Sequence, residues 1–293
     1  MDEIHQFGGN WTADKLERLR KYLVAYATIM NKKNFIFSYI DAFAGTGYRI
    51  LKKEEYHEGF CLLDFDEKDS QEFLQGSARI ALQVEPKFDQ YIFIEKDAAR
   101  CQELAKLKTD FPLLKNRIII VNSEANQYLK DFCKKVNWKK NRAVLFLDPY
   151  GMEVHWDTMK AIAETKAIDV WYLFPLGIGV NRLLKKDGNI NEAWRNKLDK
   201  IFGASDWYQS FYEDKEQDTL FGPLHRTEKI ADFSSIQEFF LNRLKSIFPG
   251  VAENPLILKN SKNNPLYLLC FAASNEKGAP TAIKIAQDIL GRF

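Results

Sequence analysis

The stretch that most restricts the fold runs from Phe35 to Arg49: Phe-Ile-Phe-Ser-Tyr-Ile-Asp-Ala-Phe-Ala-Gly-Thr-Gly-Tyr-Arg. Phe35 to Ile40 is short, aromatic and β-branched, the composition of a buried strand. It ends in an acid, Asp41, and Gly45 and Gly47 bracket one small residue just beyond. Glycines there carry no Cβ, so a ligand can lie against bare backbone whose amide N–H groups point outward. A nucleotide-binding fingerprint would place a third glycine near position 50, where the chain has Ile50. An acid at the strand end with Gly-x-Gly close behind suits S-adenosylmethionine (SAM), a sulfonium with an amino-acid end and no pyrophosphate. The alternative reading of the same residues is plain loop chemistry.

A second apolar strand ends the same way. Ala143 to Leu147 runs into Asp148-Pro149-Tyr150-Gly151. That tetrapeptide resembles the Asp/Asn-Pro-Pro-Tyr signature of methyltransferases acting on exocyclic amino groups of bases. It is closer still to the Asp-Pro-Phe/Tyr-Gly of tRNA guanine-N2 methyltransferases. Two such strand ends in this order are more specific than either alone.

Around these ends the pattern predicts alternating helices and strands. Thr12 can cap a helix reaching about Asn31, with Leu16, Leu19, Leu23, Tyr26 and Met30 as its buried stripe. Lys15 reads as a solvated charge on that helix, though one that a family resemblance makes worth watching. Residues 48–76 form a charged excursion, read equally as part of an active-site mouth or as a solvated surface loop, and Ser77 reads as the cap of a helix through Val84. Residues 88–95 form a strand ending in Glu95, an acid able to accept hydrogen bonds from both hydroxyls of a ribose. A helix from Asp97 to about Thr109 follows. Arg117 to Asn122 is a third strand, and its turn offers Ser123, Glu124 and Ala125 for an adenine amino group. Glu124 reads equally well as a first-turn acid favoured by the helix dipole. Trp156 to Lys166 should be helical and Ala167 to Pro175 a fifth strand. Residues 183–234 read as mostly helical. Leu256–Lys259 and Leu266–Ala273, split by a strong turn signal, read as a closing antiparallel hairpin, with a last helix near Thr281–Leu290.

The fold class expected is therefore α/β: a Rossmann-like sheet with right-handed crossovers, a terminal antiparallel hairpin and a helical insertion. Its divisions fall at 1–34 (arm and first helix), 35–177 (core), 178–234 (insertion) and 235–293 (completion of the sheet). With 293 residues, 46% of them hydrophobic, the chain can bury a large core. A net charge of +2 imposes no global field for nucleic acid. Cys61, Cys101, Cys133 and Cys270 form no Cys-x-x-Cys pair and read as reduced thiols of a cytoplasmic protein, without a metal site. No apolar run is long enough to span a membrane.

The chain resembles the three-Cys-motif partner (TcmP) family of bacterial and phage genomes. The resemblance is carried by Tyr39 to Gly45, Gly76-Ser77, Phe146 to Val154, Thr165 to Asp169, Leu173 to Gly177, Asn181-Arg182 and Tyr267 to Ala273. It implies a class I SAM-dependent methyltransferase fold. It also implies a partner protein with a three-cysteine, iron–sulfur or radical-SAM-like motif. The candidate cofactor-binding residues are Asp41, Phe43, Gly45, Gly47, Glu95, Lys96, Ser123, Glu124 and Ala125. Asp148, Pro149 and Tyr150 are the candidate catalytic residues, and Arg49, Asn181 and Arg182 the candidate substrate contacts. The leading expectation is methylation of an exocyclic amine on an RNA or DNA base. The alternatives are a SAM-binding module that regulates its partner, or a small-molecule or protein methyltransferase.

Overall fold

The computed structural model describes residues 11–45, 76–219 and 222–291. Gly47, Arg49, Cys61 and the excursion up to residue 75 lie outside the described residues.

The first helix, α1 (Trp11–Met30), precedes β1 (Ile36–Asp41). Then come α2 (Ser77–Gln83), β2 (Gln90–Glu95), α3 (Ala98–Ala105), α4 (Leu107–Asp110) and β3 (Ile118–Asn122). Next are α5 (Ala125–Lys135), β4 (Asn141–Leu147), α6 (Trp156–Glu164) and β5 (Ile168–Phe174). These five strands lie parallel in the order β3-β2-β1-β4-β5. The chain closes with β8 (Gly250–Val251), β9 (Leu256–Lys259) and β10 (Pro265–Ala273). β10 runs antiparallel to β5 and carries β8 and β9 on its other edge. The hairpin turn is built by Asn260, whose Oδ1 accepts from the N–H groups of Lys262 (3.0 Å) and Asn264 (2.9 Å).

Alternation along the strands divides the core into two layers, as expected of a sheet covered on both faces. In β4, Leu145 and Leu147 face α5 and α6, while Val144 and Phe146 face the layer of α1, α2 and α10 (Ala279–Gly291). The stripe read for α1 is buried throughout, and Leu19 and Leu23 are fully covered. α1 is pinned at both ends of the fold: the Tyr22 hydroxyl donates to Asp169 Oδ2 in β5 at 2.7 Å, and Arg18 Nη1 donates to the Ile289 carbonyl in α10.

Four local expectations need correction. Thr12 sits inside α1, buried, and does not cap it. Ser77 is the first residue of α2, with Gly76 at the cap position, and its hydroxyl turns to Asp41 instead. The helix expected from Asp97 divides at Lys106 into α3 and α4, with the Asp97 side chain accepting from the Arg100 N–H at 2.9 Å. The insertion is less helical than its composition suggested. A π-helical turn (Leu176–Asn181), α7 (Glu192–Phe202) and α8 (Trp207–Phe211) lead into an antiparallel ribbon, β6 (Tyr212–Thr219) with β7 (Gly222–Lys229), before α9 (Phe233–Lys245). The charged run that resembles a solvated helix is held extended by cross-strand pairs, Lys215 to Glu228 at 2.9 Å and Thr227 to Asp214 at 2.6 Å.

Candidate active site

Parallel strands place their C-terminal ends along one edge of the sheet, where the turns to the following helices open. Asp41, Glu95, Asn122 and Asp148 all fall there, one at or just past the end of each of four adjacent strands.

Asp41 is fully buried. It accepts hydrogen bonds from the Ser77 hydroxyl, from the Tyr39 hydroxyl at 3.3 Å and from the Phe43 N–H at 3.4 Å. Burial raises its carboxyl to about 7, against the pull of the Ser77 hydrogen bond, and the negative charge of Asp148 adds to the rise. The backbone beyond is fixed by the neighbouring strand. Ala44 N–H donates to the Ile94 carbonyl at 3.1 Å, and Gly45 N–H to Glu95 Oε2 at 3.0 Å. Gly45 has φ +61°, a conformation glycine adopts without strain, and a Cβ there would meet nothing within 4 Å. Bare backbone thus faces open space among the described residues.

Glu95 is buried, with its second oxygen accepting from Asp97 N–H at 2.9 Å. Each carboxylate oxygen keeps a lone pair for a further donor. Asn122 Nδ2 bonds the carbonyls of Glu95 (3.1 Å) and Lys96 (2.9 Å), tying the β2 and β3 turns together. Lys96 itself reaches Glu153 at the exposed rim, 3.2 Å away. Phe43 is partly exposed and packs against the core.

Of the two readings of Glu124, the helix-terminal one describes its contacts. Its carboxylate accepts from Asn126 N–H (2.9 Å), Asn126 Nδ2 (2.6 Å) and Gln127 N–H (2.8 Å), capping α5. Burial pushes the carboxyl up, but these hydrogen bonds outweigh it and hold it low. Ser123 and Ala125 flank it, Ser123 partly exposed and Ala125 buried. Buried Asn126 also fixes the loop after the Asp-Pro-Tyr-Gly segment. Its Nδ2 donates to the Glu153 carbonyl (2.8 Å), and its Oδ1 accepts from His155 N–H and Thr158 Oγ1 (both 2.9 Å).

Asp148 stands two residues past Phe146, the parallel partner of Asp41. Its Oδ2 accepts from Lys15 Nζ at 2.6 Å. The side chain of Lys15 is 1% exposed and that of Asp148 is 18% exposed. Lys15 is therefore no solvated charge but the buried half of an ion pair with the central acid of the site. Trp11 lies one turn before it, its ring centre 5.0 Å from the ammonium, and stacks on Tyr267 of β10 at 5.3 Å. Pro149 is buried; Tyr150 is partly exposed, with the Arg100 guanidinium 5.9 Å from its ring centre.

Asn181 ends the π-helical turn after β5 and Arg182 follows it, exposed. The turn abuts the Asp148 loop, since a Cβ on Gly179 would come within 3.0 Å of Met152. The candidates of the described chain thus gather on one sheet edge. Sequence reasoning assigned no site role to Lys15, Ser77 or Asn126. Lys15 carried a legible signal, because it stands four residues before Leu19, on the i, i+4 line of the buried stripe.

No family model matches the chain, and no curated protein does. Among solved structures the chain is similar to a Legionella pneumophila protein of the DUF519 family, at 16% identity over 97% of this chain and 92% of that one, with a TM-score of 0.49. It is also similar to the spermidine synthase of Thermotoga maritima, at 11% identity over 89% and 61%, with a TM-score of 0.38. A third likeness is to a Listeria monocytogenes protein conjecturally assigned as a SAM-dependent methyltransferase, at 11% identity over 88% and 98%, with a TM-score of 0.35. At these values none of them transfers a site residue to this chain. Among the described residues no helix is long and apolar enough to cross a membrane, and no cluster of His, Cys, Asp or Glu could hold a metal ion.

Proposed function

We propose that this protein is a SAM-dependent methyltransferase acting on an exocyclic amino group of a nucleic-acid base. The observation that carries the proposal is the ion pair at the strand edge: Asp148, held at one oxygen by a buried lysine, beside an acid-and-glycine strand end. The residues suit the cofactor. Gly45 gives it bare backbone, the Glu95 carboxylate has lone pairs for ribose hydroxyls, and buried Asp41 supplies an acid beneath the turn. When bound, SAM supplies an electrophilic methyl group.

The chain's own task is to present the acceptor. An aryl amine is a poor nucleophile because its lone pair is conjugated into the ring. Lys15 occupies Oδ2 of Asp148, and Oδ1 takes no hydrogen bond from the described residues. Oδ1 and the Pro149 carbonyl can each accept one amine N–H, which favours a pyramidal nitrogen with its lone pair aimed outward. Tyr150 can stack on the ring that bears the amine. Methyl transfer then depends on alignment more than on base catalysis.

Calorimetry should show SAM binding to the folded protein, and its absence would remove the cofactor from this reading. Labelled SAM with total RNA, DNA and cell lysate should reveal an acceptor. On that acceptor Asp148→Ala should lower turnover by roughly two to three orders of magnitude with SAM affinity nearly intact. Full methyl transfer by Asp148→Ala would refute the amine-methylating reading. SAM binding with no acceptor found would favour a regulatory module serving the three-cysteine partner that the TcmP resemblance implies.

A further inference from the structure

A groove of about 540 Å³ opens between the π-helical turn and the ribbon, lined by Asn181, Leu184, Lys186, Arg226, Glu228 and Lys229, with Ala231 at its end. Three of these side chains are cationic and one is acidic, in a chain whose net charge is only +2. The acid is already shared: Glu228 lies 2.9 Å from Lys215 and 3.3 Å from Arg226. The described ion pairs include neither Lys186 nor Lys229.

Lys229 is the informative member. It is partly exposed, and its ammonium donates to Asn181 Oδ1 at 2.6 Å, a neutral acceptor. Burial pushes its pKa down, and Asp232 opposes this only at longer range. A partly desolvated ammonium fixed in direction with no counter-charge in contact gains when a ligand brings one. Lys229 is tied to the rest of the groove through its backbone, whose N–H donates to the Lys186 carbonyl at 2.9 Å. The ribbon and the segment after the turn therefore present their cations as one unit. The turn in turn packs against Met152, in the loop that begins at Asp148.

We infer that this groove seats the phosphate backbone of a single nucleic-acid strand, so that a base of that strand reaches Asp148 and Tyr150. The inference rests on the methyltransferase reading for what happens to the base, but strand binding can be measured without it. Three cations lining one groove, on two segments of the chain, suit a chain of phosphates.

The probes are fluorescein-labelled oligonucleotides of about 12 nucleotides and mixed sequence, as RNA and as DNA, read by fluorescence anisotropy across a salt series. The wild-type protein should bind at least one of them. The triple variant Lys186→Glu, Arg226→Glu and Lys229→Glu should bind at least tenfold more weakly. Its log affinity against log salt should flatten by about 2, near 0.7 for each phosphate that the variant no longer neutralises. Should the triple variant fail to fold, Lys186→Glu with Arg226→Glu alters only exposed positions and should show about two-thirds of the change in slope. Absence of binding by the wild type overturns the inference, as does equal binding by the variants. Competition by inorganic phosphate as effective as unlabelled oligonucleotide also overturns it. Calorimetry with SAM on the same samples reports the cofactor separately, so failure of the groove and failure of the methyltransferase reading are told apart.

Discussion

At the scale of single residues, two acids of the site behave differently because their partners differ. Asp41 is buried, so its carboxyl is pushed up to about 7, far above the usual carboxylate range, even though the hydrogen bonds from its neutral donors pull it down; the negative charge of Asp148 adds to the rise. A folded-state value above the unfolded one means the folded protein binds the proton more tightly. This stabilisation is complete below about pH 4 and is lost as pH rises through 7. Between pH 5 and pH 8 the contribution of Asp41 should fall by about 1–3 kcal/mol. Urea unfolding of the wild type and of Asp41→Asn at the two pH values should give a flatter dependence for the variant. Equal slopes would show that Asp41 does not carry the effect. Asp148 instead has a lysine for a partner, and that pair can be weighed without knowing the acceptor. Lys15→Met leaves a partly buried carboxylate alone, so it should destabilise by about 1–3 kcal/mol, less than a fully buried pair would lose. Adding Asp148→Asn should recover part of that loss, and a coupling energy near zero in the double-mutant cycle would dismiss the pair. Asp148 was legible from its place after an apolar strand. Its lysine carried only the weak signal of lying on the buried stripe, because a charge on a helix is most often solvated and its partner lies 133 residues away.

At the scale of elements, the five parallel strands and the hairpin were readable because a buried strand has a composition few other elements share, whereas the order of the strands in the sheet was not. β1, β4 and β5 follow that rule, and the antiparallel β10, equally buried, shares the composition with a turn signal before it. The ribbon escaped detection because β6 has no apolar alternation; its extended form depends on β7, which local sequence does not reveal. Glu124 shows the same limit, since an acid in a turn cannot declare whether it faces a ligand or caps the helix behind it. The junction between the π-helical turn and β10 tests how tightly these elements are fitted. A Cβ on Gly177 would lie 1.9 Å from the carbonyl oxygen of Pro265, a backbone atom that cannot swing aside. Gly177→Ala should therefore cost about 1–3 kcal/mol by forcing the start of β10 away from the turn. A thermal melt unchanged from the wild type would contradict that fit.

At the scale of the whole molecule, the site is closed by the first helix and the last. α1 brings Lys15 to the strand edge, and it is held there by the Ile289 carbonyl of α10, by Tyr267 of β10 and by Asp169 of β5. Truncation before Ala279 removes α10 and uncovers the apolar face of α1. Hydrogen exchange in α1 should rise well above that of β1 and β4 in such a variant. Protection of α1 equal to that in the full chain would show that α10 does not hold it.

The same arrangement sets an order of events during synthesis. A chain emerging from the ribosome releases Lys15 before Asp148, and the β10 and α10 residues that help seat α1 follow both. A nascent chain that has completed its five parallel strands still lacks the β10 and α10 seats that draw α1 across them. The ion pair therefore gains its full set of supports only once the segment through β10 and α10 has been made.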